Sequence, residues 1–140
     1  MALVLRCHVG IGPVVTGYAL VADDGFSARY DLDRKAGVFS RPTHRLFGQS
    51  YAGKVLALNT SKGGVATAWM LHEMAARGLV PLALLFNRVN PIIAQGAAFG
   101  DVALVDRFEG DITRLLRTGD LVRVDPARGE VTVLNRTGEG

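Results

Sequence analysis

Residues able to do chemistry at close spacing are concentrated in one stretch, Asn59-Thr60-Ser61-Lys62-Gly63-Gly64-Val65-Ala66-Thr67. Ser61 offers a hydroxyl and Lys62 a mobile cation. The Gly63-Gly64 pair lets backbone N–H groups approach a ligand closely. A helix is expected to begin just beyond, and its positive N-terminal end would face the same space, so the stretch contains the parts of an anion cradle. The order Gly-x4-Gly-Lys-Ser/Thr is absent, which argues against a nucleotide P-loop. A tight turn with a capping Ser or Thr has the same composition, and spacing alone leaves both readings open. A second stretch, Asn87-Arg88-Val89-Asn90-Pro91, could bring amides and a guanidinium to the same ligand. It could equally be an ordinary helix start, with Asn90 as N-cap and Pro91 at the first helical position.

The remaining reactive residue types are sparse. His8, His44 and His72 match no metal-ligand spacing; His44, in the loop before Leu46, is the only one to consider near a site, and a structural role is the alternative. Cys7 is the sole cysteine, so the chain can form no internal disulfide and cannot complete a zinc or cluster site from thiolates. Its apolar surroundings, 2–9, suit an inert buried thiol. That run is too short to span a membrane and lacks the features of a signal peptide. Trp69 lies off the centre of the apolar helix face and is read as part of a partner surface. The charge of +3 comes from scattered cations with no basic run interleaved with aromatics, which argues against a nucleic-acid surface. The expectation is one domain, 1–140, soluble and cytoplasmic.

Elements able to position these residues follow from the apolar pattern. Residues 1–53 read as short strands broken at Gly10–Pro13, Asp23-Asp24-Gly25 and Lys35-Ala36-Gly37, with 42–53 as a loop. From residue 54 the pattern becomes strand, helix, strand, helix, strand. Val55–Leu58 within the strand Lys54–Asn59, Leu82–Phe86 and Val102–Val105 are continuous apolar runs, as in strands covered on both faces. Met70, Leu71, Met74 and Ala75 share one helix face, and Gly78 closes that helix. A second helix starts at Asn90. Asp111 caps a short helix at Ile112–Arg117, and Leu121–Asp125 with Glu130–Leu134 forms a C-terminal β-hairpin. The fold class is α/β, a β-rich N-terminal half packed on a parallel βαβαβ unit. Right-handed crossovers place the turns after Asn59 and after Phe86 at one carboxyl edge, where ligands of such sheets bind.

The string His44-Arg-Leu-Phe-Gly48-Gln-Ser-Tyr-Ala-Gly53-Lys54-Val-Leu resembles the small subunit of aconitase X-type proteins. Lys62-Gly63, Gly78-x-x-Pro81 and Asn90-Pro-Ile-Ile-Ala-Gln-Gly96-Ala extend that resemblance, and Thr16-Gly-Tyr-Ala-Leu-Val21 fits its N-terminal half. The resemblance implies a swivelling β/β/α domain that is inactive alone. It implies the small subunit of a hydro-lyase acting on a small hydroxylated carboxylate or related anion. Its site would be shared with a large subunit that binds an iron–sulfur cluster. Family activities include dehydration of cis-3-hydroxy-L-proline and of mevalonate 5-phosphate. Ser61 and Lys62 are then the expected catalytic residues, and Gly63, Gly64, Thr67, Asn87 and Asn90 the substrate-binding ones, with no metal ligand on this chain. The resemblance also implies a Ser, acting as base, at the position of Gly64. With Gly64 there, Ser61 substitutes, the base lies on the large subunit, or the reaction differs; alternatively the chain is a non-catalytic anion-binding or regulatory module.

Overall fold

A computed structural model describes residues 3–26, 31–33, 35–61, 65–88 and 102–136, with backbone alone at 26, 61, 65–69 and 71. The strands are β1 (Leu3–Arg6), β2 (Val15–Val21), β3 (Gly25–Phe26), β4 (Leu32–Asp33), β5 (Val38–Phe39), β6 (Val55–Ser61), β7 (Ala83–Arg88), β8 (Ala103–Asp106), β9 (Leu121–Asp125) and β10 (Glu130–Asn135). The helices are α1 (Val65–Ala76) and α2 (Ile112–Leu115). The main sheet runs β1-β10-β9-β2-β6-β7-β8, with β3 also on β6.

One strand joins the two halves that the sequence pattern separates. β2 pairs antiparallel with β9 through Val15–Tyr18 and parallel with β6 through Ala19–Val21. β6, β7 and β8 continue in parallel. Beyond β1 the chain crosses to β8, where the Ile11 N–H donates to Leu104 O (3.0 Å), the Leu104 N–H to Ile11 O (2.9 Å) and the His8 N–H to Asp106 O (3.1 Å). These bonds bring the two ends of the strand order together and close the sheet on itself.

Closure gives the sheet an inner and an outer face, and the pleat sorts the apolar runs between them. Val55, Ala57, Ala83, Leu85, Ala103 and Val105 turn inward, with Val122, Val124, Val131 and Val133 opposite. Leu56, Leu58, Leu84, Phe86 and Leu104 turn outward beneath Met74 of α1 and beneath Leu32, Phe39, Leu46 and Tyr51 of the 31–51 segment. Continuous apolar runs are therefore needed, because neither face meets water. The interior takes mainly Val and Ala, with Leu5, Leu85, Ile112 and Leu116, whereas the fully buried rings of Phe39, Tyr51 and Phe86 all lie in the outer layer.

Local signals act as read. Gly78 sits at φ 73 after α1, its N–H donating to Ala75 O and that of Leu79 to Met74 O, which satisfies the last turn. The Asp111 carboxylate accepts from the Thr113 N–H and caps α2. Two boundaries differ. The strand expected to stop at Asn59 continues to Ser61, because Thr60 pairs with Gly25 of β3 on one side and Arg88 of β7 on the other. The helix expected over Ile112–Arg117 ends at Leu115, where Leu116 turns extended and buries its side chain. The second helix, expected from Asn90, and the Trp69 side chain lie outside the described residues. No described helix is long and apolar enough to cross a membrane.

Gly12 tests the closure. Its φ is 97, and a Cβ there would fall 2.6 Å from Ala103 Cα and 2.9 Å from Val102 O. Gly12→Ala is expected to destabilise the fold by about 3 kcal/mol, combining overpacking with left-handed strain. That corresponds to a Tm lower by roughly 10 °C in a calorimetric or circular-dichroism melt.

Candidate functional site

Strands β2, β6, β7 and β8 run in one direction, so their carboxyl ends share one edge. A row of side-chain hydrogen bonds ties that edge together. Asn59 Nδ2 donates to Asp23 Oδ1 (3.1 Å), and Asn87 Nδ2 donates to Asn59 Oδ1 (3.2 Å) and to Asp111 Oδ1 (2.8 Å). Asn87 Oδ1 accepts the Ile112 N–H (2.8 Å), one of the α2 donors without an intrahelical partner. The Asn87 amide is thus engaged through both its oxygen and its nitrogen, and it holds the ends of β6 and β7 to the start of α2.

A second cluster braces the β6 end from the opposite side. The Asn59 N–H donates to Asp24 O (2.8 Å), and β3 lies parallel against Thr60 and Ser61. The Asp24 carboxylate accepts from the N–H groups of Gly25 (2.7 Å) and Arg45 (3.2 Å) and from Arg41 Nη2 (3.3 Å). Arg41 Nε also donates to Asp31 at 2.5 Å. His44 is fully buried and stacked on Phe39 with centroids 4.6 Å apart. Its Nδ1 accepts the Leu46 N–H (3.0 Å), which places the ring proton on Nε2, facing Gly25 O at 2.9 Å. His44 belongs to this brace, since its ring faces Gly25 of β3 and β3 pairs with the last residues of β6.

Two carboxylates of this edge are shifted in the same direction. Burial opposes ionisation of Asp24, yet the N–H groups of Gly25 and Arg45, with His44 and Arg41 nearby, outweigh it and hold the carboxyl below 3.8. For Asp111, hydrogen bonds from the Thr113 hydroxyl and Asn87 lead, burial again opposes, and the net shift is downward from 3.8. Cys7 differs: burial, with Asp106 and Glu130 adding repulsion, pushes its half-buried thiol up to about 11. It is therefore a poor nucleophile at neutral pH.

Of the residues singled out from sequence, Ser61 is the last residue of β6, Thr67 lies in the first turns of α1, and Asn87 is the penultimate residue of β7. Lys62, Gly63, Gly64 and Asn90 lie outside the described residues, as do the side chains of Ser61 and Thr67. The expected approach of the two turns is seen at their bases, in the Asn59–Asn87 bond and the Thr60–Arg88 register. Sequence reasoning missed Asp23, Asp24 and Arg41. Asp23-Asp24-Gly25 was legible only as a turn because β2 was not assigned to the parallel sheet. Once β2 is its fourth strand, that turn sits at the carboxyl edge.

Comparisons with known proteins agree in fold and family. Residues 4–133 match the family model described as the aconitase X swivel domain. The phosphomevalonate dehydratase small subunit of Methanothrix thermoacetophila is 36% identical over 103 residues, 74% of this chain and 75% of that protein. Its namesake from Methanopyrus kandleri is 34% identical over 116 residues, 81% and 86% of the two chains. The holo-form crystal structure of Thermococcus kodakaraensis aconitase X superposes with a TM-score of 0.88 at 27% identity, covering 95% of this chain and 99% of that chain. A UPF0107 protein solved by solution NMR gives a TM-score of 0.86 at 26% identity, with 95% and 100% covered.

The depressed carboxylates contribute to stability on the acid side. A group whose folded pKa lies below its unfolded value stabilises the fold above that unfolded value, and the contribution disappears as pH falls through the folded one. Asp24→Asn is therefore expected to lower Tm at pH 7, with the difference from wild type shrinking below about pH 4. Melting curves from pH 7 to pH 2 check this, and an undiminished difference at pH 2 would contradict it.

Proposed function

The chain belongs to the aconitase X swivel-domain family, and from that membership we propose that it forms part of the active site of a dehydratase removing water from phosphomevalonate. Its coarser role is that of a hydro-lyase small subunit, which implies a large subunit as partner. The observation carrying the finer reading is the joined carboxyl edge, with Asn59 and Asn87 bonded at 3.2 Å, in a chain whose relatives are named for this reaction. Both relatives described above are named for phosphomevalonate, which favours it over the 3-hydroxyproline alternative.

Phosphomevalonate is a β-hydroxy carboxylate bearing a phosphate. Loss of water across its α,β bond needs a base for the α proton and an acid for the departing hydroxyl. Negative charge developing on the carboxylate is stabilised by N–H donors and cations aimed at it. In this reading Ser61 takes the proton, with Lys62 stabilising its alkoxide, since a Ser hydroxyl is a weak base without such help. Gly63, Gly64, Thr67 and Asn90 contact the substrate, while Asn87 keeps the edge assembled. Closure of this swivel domain on the large subunit would exclude water.

The iron–sulfur cluster implied by the family does not fit this chain's own donors. Such clusters are held mainly by several thiolates, and Cys7 is alone in the sequence. Among the described residues no three His, Cys, Asp or Glu side chains gather as a metal site. In this reading the cluster belongs to the large subunit. Gly64, standing where the family's base is expected, favours one second reading: a subunit that binds the anion without catalysing.

Turnover by the complex with its cognate large subunit tests both readings. Phosphomevalonate is expected to be dehydrated in preference to cis-3-hydroxy-L-proline. Ser61→Ala is expected to lower kcat about 10²- to 10⁴-fold with little change in KM, as loss of a general base does. Binding of phosphomevalonate without turnover would instead establish the anion-binding module. Full kcat in Ser61→Ala would move the base to the large subunit.

A further inference from the structure

We propose that Arg88 binds the substrate's phosphate and so sets the preference for a phosphorylated hydroxy acid; this rests on the functional reading above. Arg88 ends β7 level with Thr60 of β6 and is exposed at the carboxyl edge. Leu84 and Phe86 turn to the outer layer beneath α1. Arg88, two residues further along the same strand, lies on that same face. Asn87 turns to the opposite face, where its amide joins the β6 end to α2. Adjacent residues thus divide the work, one bracing the edge and the other presenting a cation on the face that carries α1.

The charge distribution separates Arg88 from the structural arginines. Arg6, Arg41, Arg77, Arg114, Arg128 and Arg136 each have a carboxylate oxygen within 3.9 Å. Among the described residues Arg88 has none; Arg45 and Arg123 share that lack, but of the three Arg88 alone ends a parallel strand at the carboxyl edge. An exposed guanidinium that neutralises no acid contributes little to folding, and its planar fork matches the oxygens of a phosphate. The neighbouring strand end adds a second sign of a functional edge. Arg107 occupies the left-handed region at φ 58, its N–H donating to Asn87 O at 3.1 Å. Such backbone strain in a non-glycine residue concentrates at binding and catalytic sites.

The test is steady-state kinetics of the complex with its large subunit, using phosphomevalonate and its unphosphorylated analogue mevalonate. Arg88→Ala is expected to raise KM for phosphomevalonate about 10- to 100-fold, the scale of a lost charge-assisted contact, with kcat within about threefold. Arg88→Lys should recover part of that loss. Turnover of mevalonate should be poor in wild type and unchanged in Arg88→Ala. Arg123→Ala, an exposed arginine on β9, controls for net charge and should leave KM unchanged. An Arg88→Ala complex with wild-type KM overturns this proposal and leaves the dehydratase reading standing. A wild-type complex inactive on phosphomevalonate overturns both.

Discussion

Parallel pairing along β6 sets where everything else can lie. The strand is flanked by β7 on one side and by β2 and then β3 on the other, so its backbone donors and acceptors have partners along both edges. Its side chains alternate between a closed interior and a layer roofed by α1 and the 31–51 segment. A one-residue slip would exchange those two sets. Small Val and Ala side chains would then leave the interior and the larger Leu side chains would enter it. The register that seats Leu58 beside Phe86 therefore also carries Asn59 to Asn87 and Thr60 to Arg88.

At the carboxyl edge this regularity ends, and polar side chains take over the work of backbone pairing. Asn59 and Asn87 extend from the pleat toward α2, joined to Asp23 and Asp111. The row links three strand ends to a helix start, and each bond satisfies a group that would otherwise be left at the edge. On the far side of β6, Asp24, Arg41 and His44 brace β3 from behind. Residues following Ser61 thus leave a strand end that is supported from two directions. Preorganisation of that kind is what a site stabilising developing negative charge requires.

Each half of the fold was legible where the local signal coincides with the tertiary requirement. The C-terminal hairpin appears as read because its turn carries Pro126 and a left-handed Gly129, and its strands alternate around one buried face. Gly78 and Asp111 terminate helices for local reasons, a positive φ and a side-chain cap. The β6 boundary was misplaced because Asn59, Thr60 and Ser61 have no apolar pattern. Strand continuation there depends on β3, a two-residue segment that becomes visible only when paired.

Composition and pattern alone determined an α/β chain with three covered parallel strands, a glycine pair beside Ser61 and Lys62, and a single thiol unable to hold a cluster. They determined these things because pleat period, capping chemistry and donor count are local properties. Tertiary structure decided that β2 reverses its pairing sense midway, that the sheet closes through Gly10–Gly12, and that Asp23 and Asp24 belong to the same edge as Asn59. It also decided the faces of two neighbours that the sequence offered as one group. Asn87 faces inward and is consumed by hydrogen bonds, whereas Arg88 lies on the outer face without an acidic partner among the described residues. Adjacent strand residues point to opposite faces, and only the closed sheet establishes which face is which.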